Sequence, residues 1–503
     1  MLYLGIDLGT TFTVAAYVND RGQPTLFPDF HDANEFRTPS VVHLGEEGCL
    51  VGTPVEEILE DEPGLPHARF FKLEMETNVP VFTDSDKREW YPQALSALLL
   101  KKVLKDVDAF AHEDIGGVLI AVPANFNDAQ RRATKLAAQM AGISQVKLIE
   151  EPVAAATFYG VHQAGGEQTL FVYDLGGGTF DATVLQSSEN GLYALATEGS
   201  NVLGGKHIDE RIVRFIVEEF QRQHGFKPGD PASQQTLRRF ANEAKHTLAK
   251  PGKGRVNKTL VLGGRTLEFI LTKDRFNQLI DDFVDDTLVV CERALQASGM
   301  DWSFIDTVLL TGGSSLLPLV LDKVALASGK ARDQLVCKQP HQAVAYGAAI
   351  LAQQVFCQSS GKDLQSICSY DLGIRTLGRD GQPTVKALIN RNSAVPASAT
   401  MTFYTSRDDQ TRMIIEAVQK RGEGDAAEEK SLGYFAFGPI ESPRKKYPVE
   451  IEMSYDLEGM VTITARDPET GKQIRQVMDE ETEALDRALF EQQGWLQKIE
   501  VNV

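Results

Sequence analysis

The sequence lacks the features that mark zinc-binding, secreted or membrane-spanning proteins. It has only five cysteines, which form no CxxC pair or other metal-ligand spacing: Cys49, Cys291, Cys337, Cys357 and Cys368. Such scattered cysteines are typical of a reduced, intracellular protein. No apolar run approaches the roughly 20 residues that span a bilayer. The opening MLYLGIDLGTT has no basic region or cleavage site of a signal peptide. We therefore expect a cytoplasmic protein.

Positive charge is also scarce. The chain has 51 lysines and arginines against 70 aspartates and glutamates, which gives a formal net charge of −19. Nucleic acids and anionic membranes would repel such a surface. Neither is therefore expected as a partner.

The 503 residues exceed one hydrophobic core and predict about three domain-sized units. Residues 1–356 mix strand patterns such as LYLGID (2–7) and TLFVYDL (169–175) with helical patterns at 128–142 and 207–225. Residues 357–369 read as a linker rich in Ser, Gly and Lys. Alternating strands bounded by Gly, Pro and Asp follow over 370–478 and predict a β-sandwich. Residues 479–503 predict a short helical tail.

The first unit contains an internal repeat. GIDLGTTFTVAAYVNDRG (5–22) and VYDLGGGTFDATVLQSSENG (172–191) share a strand, an Asp-Leu-Gly, a small-residue turn with threonine and a second strand. Two similar hairpins predict two duplicated lobes whose turns face one another across a cleft. Ligands often bind between such lobes.

The two turns combine phosphate-binding and metal-binding chemistry. Successive backbone N–H groups in a Gly/Thr turn form a concave nest for anionic oxygens, and glycine permits a close approach. Asp7, Asp174 and Asp181 flank the turns. Carboxylates beside phosphates would repel them unless a hard cation such as Mg²⁺ lay between. One hairpin alone could be a plain glycine-rich turn, but a matching pair favours a site for a magnesium nucleotide.

A third element, VLLTGGSSLLP (308–318), places two glycines and two serines between a strand and an apolar run. Taken alone, this is most often an ordinary strand-to-helix turn. After two phosphate-type hairpins, it completes the phosphate, phosphate and adenosine series of actin-like ATPases.

At this point the chain resembles the DnaK-type seventy-kilodalton heat-shock chaperones over roughly residues 1–478. The matching segments occur in the family's order: IDLGTT (6–11), VPANFNDAQRRAT (122–134), LIEEPVAAATFYG (148–160), DLGGGTFD (174–181), LGG (203–205), TGGSS (311–315), AVAYGAA (343–349), LINRNSAVP (388–396), SLGYFAFGPI (431–440) and MVTITARDPETGKQ (460–473). FFKLEM (70–75) and SICSYDLGI (366–374) look closer to the HscC-like branch.

The resemblance implies an actin-like ATPase domain that binds ATP or ADP with Mg²⁺ and K⁺. It assigns catalysis to Lys72, Glu151, Asp174, Thr179 and Asp181. It places Mg²⁺, mostly through water, near Asp7, Glu151, Asp174 and Asp181. It implies nucleotide contacts from Gly9, Thr10, Thr11, Phe12, Gly176, Gly177, Gly178, Thr179, Gly204, Gly205, Lys245, His246, Gly312, Gly313 and Ser314. Without the resemblance, Lys72 reads as a surface lysine and Glu151 as a carboxylate at a helix start.

Two further residues match a pair that relays nucleotide state between the lobes in the family. These are Pro123 and Arg131. By composition alone they are a strand-end proline and a helix-surface arginine.

The chain departs from the family where adenosine would bind. The adenosine helix usually reads Glu-x-x-Lys-Arg-x-x-Ser, and here Asn242, Lys245, His246 and Ala249 stand at these positions. Further departures are Leu316 for an arginine over the base, His341 for an aspartate and Lys206 for a glutamate. The phosphate half is intact and the base half is altered, so we predict weaker ATP binding or faster exchange, and looser base selectivity.

The β-module resembles the family's peptide-binding domain. The resemblance implies a groove formed by Ile374, Leu377, Phe403, Ser406, Met413 and Ile415. Periodicity alone favours plain sandwich core for these residues. Tyr404 is bulkier than the residue usual there. The leucine-rich linker of the family shrinks to GKDLQS (361–366), and the helical lid is absent, so we expect peptide to dissociate quickly.

We therefore predict an ATP-hydrolysing, lidless chaperone that binds unfolded or extended polypeptide. A J-domain cochaperone and a nucleotide exchange factor are the implied protein partners. An alternative is a nucleotide-switched interaction module whose β-domain binds one dedicated folded partner. A sugar kinase on the same scaffold is disfavoured, because it would leave the β-module unexplained.

Overall fold

The computed structural model describes ten stretches of the chain, which together hold all the elements below. They are residues 1–45, 48–77, 79–160, 167–189, 191–357, 363–378, 382–422, 427–457, 459–478 and 483–502. None of the helices in these stretches is both long enough and apolar enough to span a bilayer.

Lobe one, residues 1–160, contains a mixed sheet with helices beside it. Its elements are β1 (Leu2–Leu8), β2 (Phe12–Val18), β3 (Pro24–Leu26), β4 (Thr38–Pro39), β5 (Val41–Gly45), β6 (Gly48–Val51), α1 (Thr53–Asp61), β7 (Ala68–Arg69), β8 (Phe82–Thr83), β9 (Glu89–Trp90), α2 (Pro92–Ala111), β10 (Ile115–Val122), α3 (Asp128–Met140), β11 (Val146–Glu150) and α4 (Glu151–Phe158). The strand order of the main sheet is β11-β10-β1-β2-β3, with β4 paired to β2.

Lobe two follows with a second mixed sheet. Its elements are β12 (Gln168–Leu175), β13 (Phe180–Ser187), β14 (Gly191–Ser200), α5 (Gly205–His224), α6 (Pro231–Ala249), β15 (Arg255–Leu262), β16 (Arg265–Thr272), α7 (Lys273–Ser298), β17 (Thr307–Thr311), α8 (Pro318–Ser328), α9 (Ala343–Phe356) and β18 (Asp363–Gln365). The strand order is β17-β12-β13-β14-β18, and β15 and β16 form a separate hairpin.

The predicted duplication of the lobes is confirmed by their strand pairing. In lobe one, β1 lies between the antiparallel β2 and the parallel β10. In lobe two, β12 lies between the antiparallel β13 and the parallel β17. The turn of each hairpin therefore occupies the same place in its sheet.

Small residues allow α4 and α9 to pack closely at the base of the two lobes. A side chain at Gly347 would place its Cβ 1.7 Å from the carbonyl oxygen of Ala154, and one at Gly5 would place it 2.0 Å from the backbone nitrogen of Ala349. The alanine-rich runs AVAYGAA and EPVAAA therefore bring helix backbone against helix and strand. This contact fixes the distance between the two sheets at the floor of the cleft.

The predicted β-sandwich is confirmed. Its strands are β19 (Asp371–Leu377), β20 (Pro383–Ile389), β21 (Ala397–Tyr404), β22 (Met413–Arg421), β23 (Glu428–Phe437), β24 (Pro448–Tyr455), β25 (Val461–Arg466) and β26 (Gln473–Val477). They form two antiparallel sheets with the orders β20-β19-β22-β23 and β21-β24-β25-β26. Alternate residues of both sheets face inward, as in Ile451, Met453 and Tyr455, and fill one core.

The stretch predicted as a linker, 357–369, adds a strand to lobe two. Residues 358–362 lie outside the described part of the chain, and the backbone of β18 pairs in parallel with β14 at Gly191–Tyr193. The sandwich then rests on both lobes. Arg421 forms an ion pair of 3.1 Å with Glu198 of lobe two, and Lys430 one of 3.2 Å with Glu76 of lobe one.

The described part of the predicted tail packs on lobe one. It consists of α10 (Glu483–Leu496) and β27 (Val501–Asn502), and residues 479–482 and 503 lie outside the described part. The Trp495 ring lies 5.6 Å from that of Trp90, centroid to centroid. β27 pairs in parallel with β6, and Leu496 and Val501 are buried in the core of lobe one. The tail therefore completes a sheet and a core of the N-terminal lobe.

Candidate functional site

The two hairpin turns meet in the cleft between the lobes. A Cβ built on Gly177 would lie 2.0 Å from the Thr11 hydroxyl oxygen, and one on Gly178 would lie 2.8 Å from that of Thr10. Any side chain at either glycine would therefore collide with the opposite turn. The absence of side chains leaves backbone N–H groups and threonine hydroxyls as the polar groups of this contact, which suits bound phosphate oxygens.

The LGG turn at the start of α5 packs on the same place. A Cβ on Gly204 would lie 2.4 Å from the carbonyl carbon of Gly178. The backbone N–H of Lys206 donates to the Gly177 carbonyl oxygen at 2.7 Å. The amino end of α5, with its partial positive charge, thus lies behind the triple-glycine turn.

The third predicted element is tied to the same turn. Gly312 has φ 80°, and a Cβ there would lie 2.4 Å from the carbonyl oxygen of Leu175, so a side chain would be strained as well as crowded. The Ser314 hydroxyl donates to the Gly176 carbonyl oxygen at 3.2 Å. The strand-to-helix turn between β17 and α8 therefore forms one wall of the cleft.

Four carboxylates and one lysine lie beneath the turns: Glu151, Asp174, Asp181 and Lys72 are buried, and Asp7 is half-buried. Lys72 Nζ is 2.9 Å from Glu151 Oε1, and both residues are buried. Burial and the charge of Glu151 raise the pKa of Asp7 to about 7, and the same two causes raise the pKa of Asp181 to about 7. Burial, Glu151 and the other aspartates raise the pKa of Asp174 well above its ordinary value. A single lysine cannot offset four carboxylates, so this cluster favours an added cation.

The same cluster suits a hydrated ion. Within the described stretches, no three acidic, histidine or cysteine side chains converge closely enough to hold a metal directly. Mg²⁺ keeps several water ligands and takes few protein ligands, so carboxylates set back from one another fit its hydration shell. The donor set therefore agrees with the water-mediated magnesium site that the resemblance implies.

The predicted adenosine end of the cleft differs in chemistry from the predicted phosphate end. Lys245 Nζ is held by Asp209 Oδ2 at 2.9 Å and by the Gly205 carbonyl oxygen at 3.0 Å. Desolvation in the cleft and the nearby Lys245 lower the pKa of His246, and burial lowers that of His341. Both imidazoles are therefore neutral at pH 7, and this end offers ring faces and ring nitrogens.

The cleft itself measures about 1000 Å³. Most of the predicted catalytic, metal and nucleotide residues line it: Asp7, Gly9, Thr10, Thr11, Phe12, Lys72, Glu151, Asp174, Gly176, Gly177, Thr179, Lys245, His246, Gly312, Gly313 and Ser314. Gly178, Gly204 and Gly205 form the turns behind this lining, and Asp181 lies beside Asp174. The structure thus brings the whole predicted set together.

The motifs assigned no contact at the cleft to Arg37 or Asp209, and Lys206 was noted only as a departure from the family. The Arg37 guanidinium lies 4.9 Å from the centroid of the Phe12 ring, and Lys206 Nζ lies 5.2 Å from that of Phe70. The second contact joins lobe two to lobe one across the cleft. Asp209, which holds Lys245, was also missed. Each of these contacts joins residues far apart in sequence, which no local motif specifies, although Phe70 is the first residue of FFKLEM.

Pro123 and Arg131 lie at the boundary between lobe one and the sandwich. Pro123 is buried directly after β10. Arg131 is only 2% exposed, and its guanidinium lies 3.2 Å from Glu150 Oε1. A Cβ on Gly459 of the sandwich would lie 2.5 Å from Arg131 Cδ. Arg131 is therefore an interface residue, and the helix-surface alternative is wrong because the sandwich covers that face of α3.

The six predicted groove residues divide by burial. Leu377 and Ser406 are exposed, whereas Ile374, Met413 and Ile415 are buried in the sandwich core. Phe403 is half-buried against that core. The peptide groove stays a prediction.

Fold and cleft together define a two-lobed actin-like nucleotide-binding module joined to a β-sandwich. Residues 67–493 match the family model described as Hsp70 protein. This match covers most of the chain, which therefore belongs to the Hsp70 family. Members of this family are ATP-dependent chaperones that bind ATP or ADP with Mg²⁺ and bind unfolded polypeptides and cochaperones.

Proposed function

We propose that this chain hydrolyses ATP between its two lobes and couples the reaction to transient binding of unfolded polypeptide by the sandwich. The observation that carries the proposal is the meeting of the two hairpin turns above three buried carboxylates, the half-buried Asp7 and Lys72. Phosphate needs backbone donors, and hydrolysis needs compensated charge around a positioned water. The cleft has backbone donors in its two turns and charged side chains beneath them.

The residues divide into three roles. Backbone N–H groups of the turns at 9–11 and 176–178, with the hydroxyl of Thr179, bind phosphate oxygens. Asp7, Glu151, Asp174 and Asp181 would hold Mg²⁺ through its water ligands, and the ion would neutralise charge on the phosphates. Lys72 is kept in place by Glu151 and supplies a cation near the attacking water.

The altered adenosine end predicts weak nucleotide binding. Lys245 already has two partners, and the neutral His246 and His341 supply no ionic contact to the ribose or base. Isothermal titration calorimetry with ATP, GTP and CTP would measure both affinity and base selectivity. Very tight and strictly adenine-selective binding would contradict this part of the proposal.

The sandwich supports two modes of binding. An extended peptide could add to the exposed end near Leu377 and Ser406, where backbone hydrogen bonds supply affinity. The burial of Ile374, Met413 and Ile415 in the core favours the second candidate, a module that binds one folded partner through its outer surface. A J-domain cochaperone and an exchange factor belong to the first candidate.

The ATPase rate with and without an unfolded apolar peptide separates the two candidates. Stimulation by many such peptides supports the chaperone, and indifference to peptides with a response to one folded protein supports the partner module. The Asp174→Asn variant is the control for contaminating ATPases. If the wild-type chain and this variant released phosphate at the same rate, the ATPase assignment would be wrong.

A further inference from the structure

The first residues of the sandwich reach the loop that follows β10. The Ser369 hydroxyl donates to the Ala124 carbonyl oxygen at 2.5 Å, and the Tyr370 hydroxyl donates to the Asn125 carbonyl oxygen at 3.0 Å. Ser369 is 1% exposed and Tyr370 is 7% exposed. Both hydrogen bonds are therefore shielded from water, and they fix two successive carbonyl groups of lobe one.

The same loop contacts a carboxylate of the nucleotide site. The backbone N–H of Asn125 donates to Asp181 Oδ1 at 3.2 Å. A Cβ on Gly199, opposite Asp181 in the β13–β14 ladder, would lie 2.6 Å from Asp181 Oδ1 and 2.6 Å from Asn125 Nδ2. The carboxylate is thus pressed between this loop and β14, and little space remains for another orientation.

Two arginines of the sandwich also contact β14 next to Gly199. Arg421 and Arg391 form ion pairs with Glu198 at 3.1 Å and 2.6 Å, and Glu198 precedes Gly199 in β14. The Arg421 guanidinium also lies 5.8 Å from the centroid of the Tyr370 ring. These contacts between two half-buried arginines and the buried Glu198 hold the sandwich against β14 beside Tyr370.

We propose that Tyr370, a residue of the sandwich, is a positioning residue for ATP hydrolysis, because it fixes the Asn125 peptide that orients the Asp181 carboxylate. This inference rests on the proposed ATPase function. Tyr370 touches neither nucleotide nor metal ligand directly and acts through one backbone peptide. A carboxylate that orders water around a metal depends on such outer contacts, whose loss typically costs 10- to 100-fold in activity or metal affinity.

The direction of the effect follows from this geometry. Contact between sandwich and lobe one completes the hydrolytic site, so weakening the contact slows the chemical step. The turns that bind phosphate and the histidine end of the cleft keep their own contacts. Nucleotide affinity should therefore stay close to that of the wild-type chain while the hydrolysis rate falls.

The test compares Tyr370→Phe with Tyr434→Phe. The first variant keeps the ring and removes only the hydroxyl, whereas Tyr434 is 64% exposed on β23 and serves as the matched control. Single-turnover hydrolysis and ATP titration give the rate and the affinity. Hydrogen exchange at the Asn125 amide, measured without nucleotide, reports the Asp181 contact independently of activity.

We expect Tyr370→Phe to slow single-turnover hydrolysis about tenfold with less than a twofold change in affinity. It should also accelerate exchange at the Asn125 amide, and Tyr434→Phe should change none of these quantities. Ser369→Ala should produce an effect of the same kind, because Ser369 bonds the Ala124 carbonyl oxygen, which is in the same peptide group as the Asn125 N–H. An unchanged hydrolysis rate in Tyr370→Phe would overturn the inference, as would a loss of affinity with an unchanged single-turnover rate. A wild-type chain that binds ATP without hydrolysing it would overturn the proposed function instead.

Discussion

Leu496 at the end of α10 offers a direct measure of how firmly the C-terminal segment belongs to lobe one. Its side chain is fully buried in the core of that lobe, although it lies almost 400 residues beyond α2 in the sequence. Replacing a buried leucine by alanine removes transfer free energy and leaves a cavity, and typically costs about 3 kcal/mol. Phe490 on the same helix is 76% exposed, so Phe490→Ala should change stability by no more than about 0.5 kcal/mol.

The three tryptophans of the chain permit a local assay. Trp90 of lobe one and Trp495 of α10 are in ring contact, so in a Trp302→Phe background their fluorescence reports the docked segment. Urea unfolding followed by this signal measures lobe one rather than the average of several domains. We expect the free energy of unfolding to fall by about 3 kcal/mol in Leu496→Ala. Equal stabilities of Leu496→Ala and Phe490→Ala would refute the reasoning and show that the segment adds nothing to the lobe.

The remaining predictions concern the cleft and the core of lobe one. Asp174→Asn and Thr179→Ala should each abolish most ATP turnover in a phosphate-release assay, because both residues belong to the second hairpin and its metal cluster; normal activity in either would overturn the site. Gly177→Ala should sharply weaken ATP binding in calorimetry, because the added methyl would meet the Thr11 hydroxyl at 2.0 Å; unchanged affinity would mean that the turns can separate. Burial raises the pKa of Asp106 to about 6, so the folded state holds that proton at a higher pH than the unfolded state. The contribution of this group to stability should fall as pH rises from about 4 to about 6, and Asp106→Asn should remove that component from the pH dependence of urea unfolding.

The site was predictable where its chemistry is local in sequence. Each hairpin consists of consecutive residues: a strand, a tight turn and a second strand. The segments DLGTT and DLGGGT therefore show directly where glycines leave room for the facing turn. Their repetition predicted that two turns would face each other, and the close approach of Gly177 to Thr11 in the structure confirms it. The alternating strands of the sandwich were predictable for the same reason.

Other features depend on partners far apart in the chain and have no local pattern. The helical pattern of α3 predicts a surface position for Arg131. In the structure, Gly459 and Tyr455 of the sandwich cover it. The pairing of β27 with β6 brings together backbones about 450 residues apart, which no spacing rule anticipates. The role of Tyr370 was not predicted, because its hydroxyl bonds a backbone carbonyl oxygen. Every residue type has that group, so the sequence near position 125 carries no sign of the contact.

The two ends of the cleft can vary independently because they have different structural support. At the phosphate end, the sandwich reaches the site through Tyr370 and holds β14 through Arg421, so any movement of the sandwich changes the surroundings of Asp181. At the predicted adenosine end, His246 and His341 both line the cleft, and His341 is near enough to influence the pKa of His246. Under the proposed function, we expect substitutions there to alter how long nucleotide stays bound, and substitutions at the sandwich contact to alter how fast it is hydrolysed. We therefore expect the divergent histidine end to leave the link between the sandwich and hydrolysis in place.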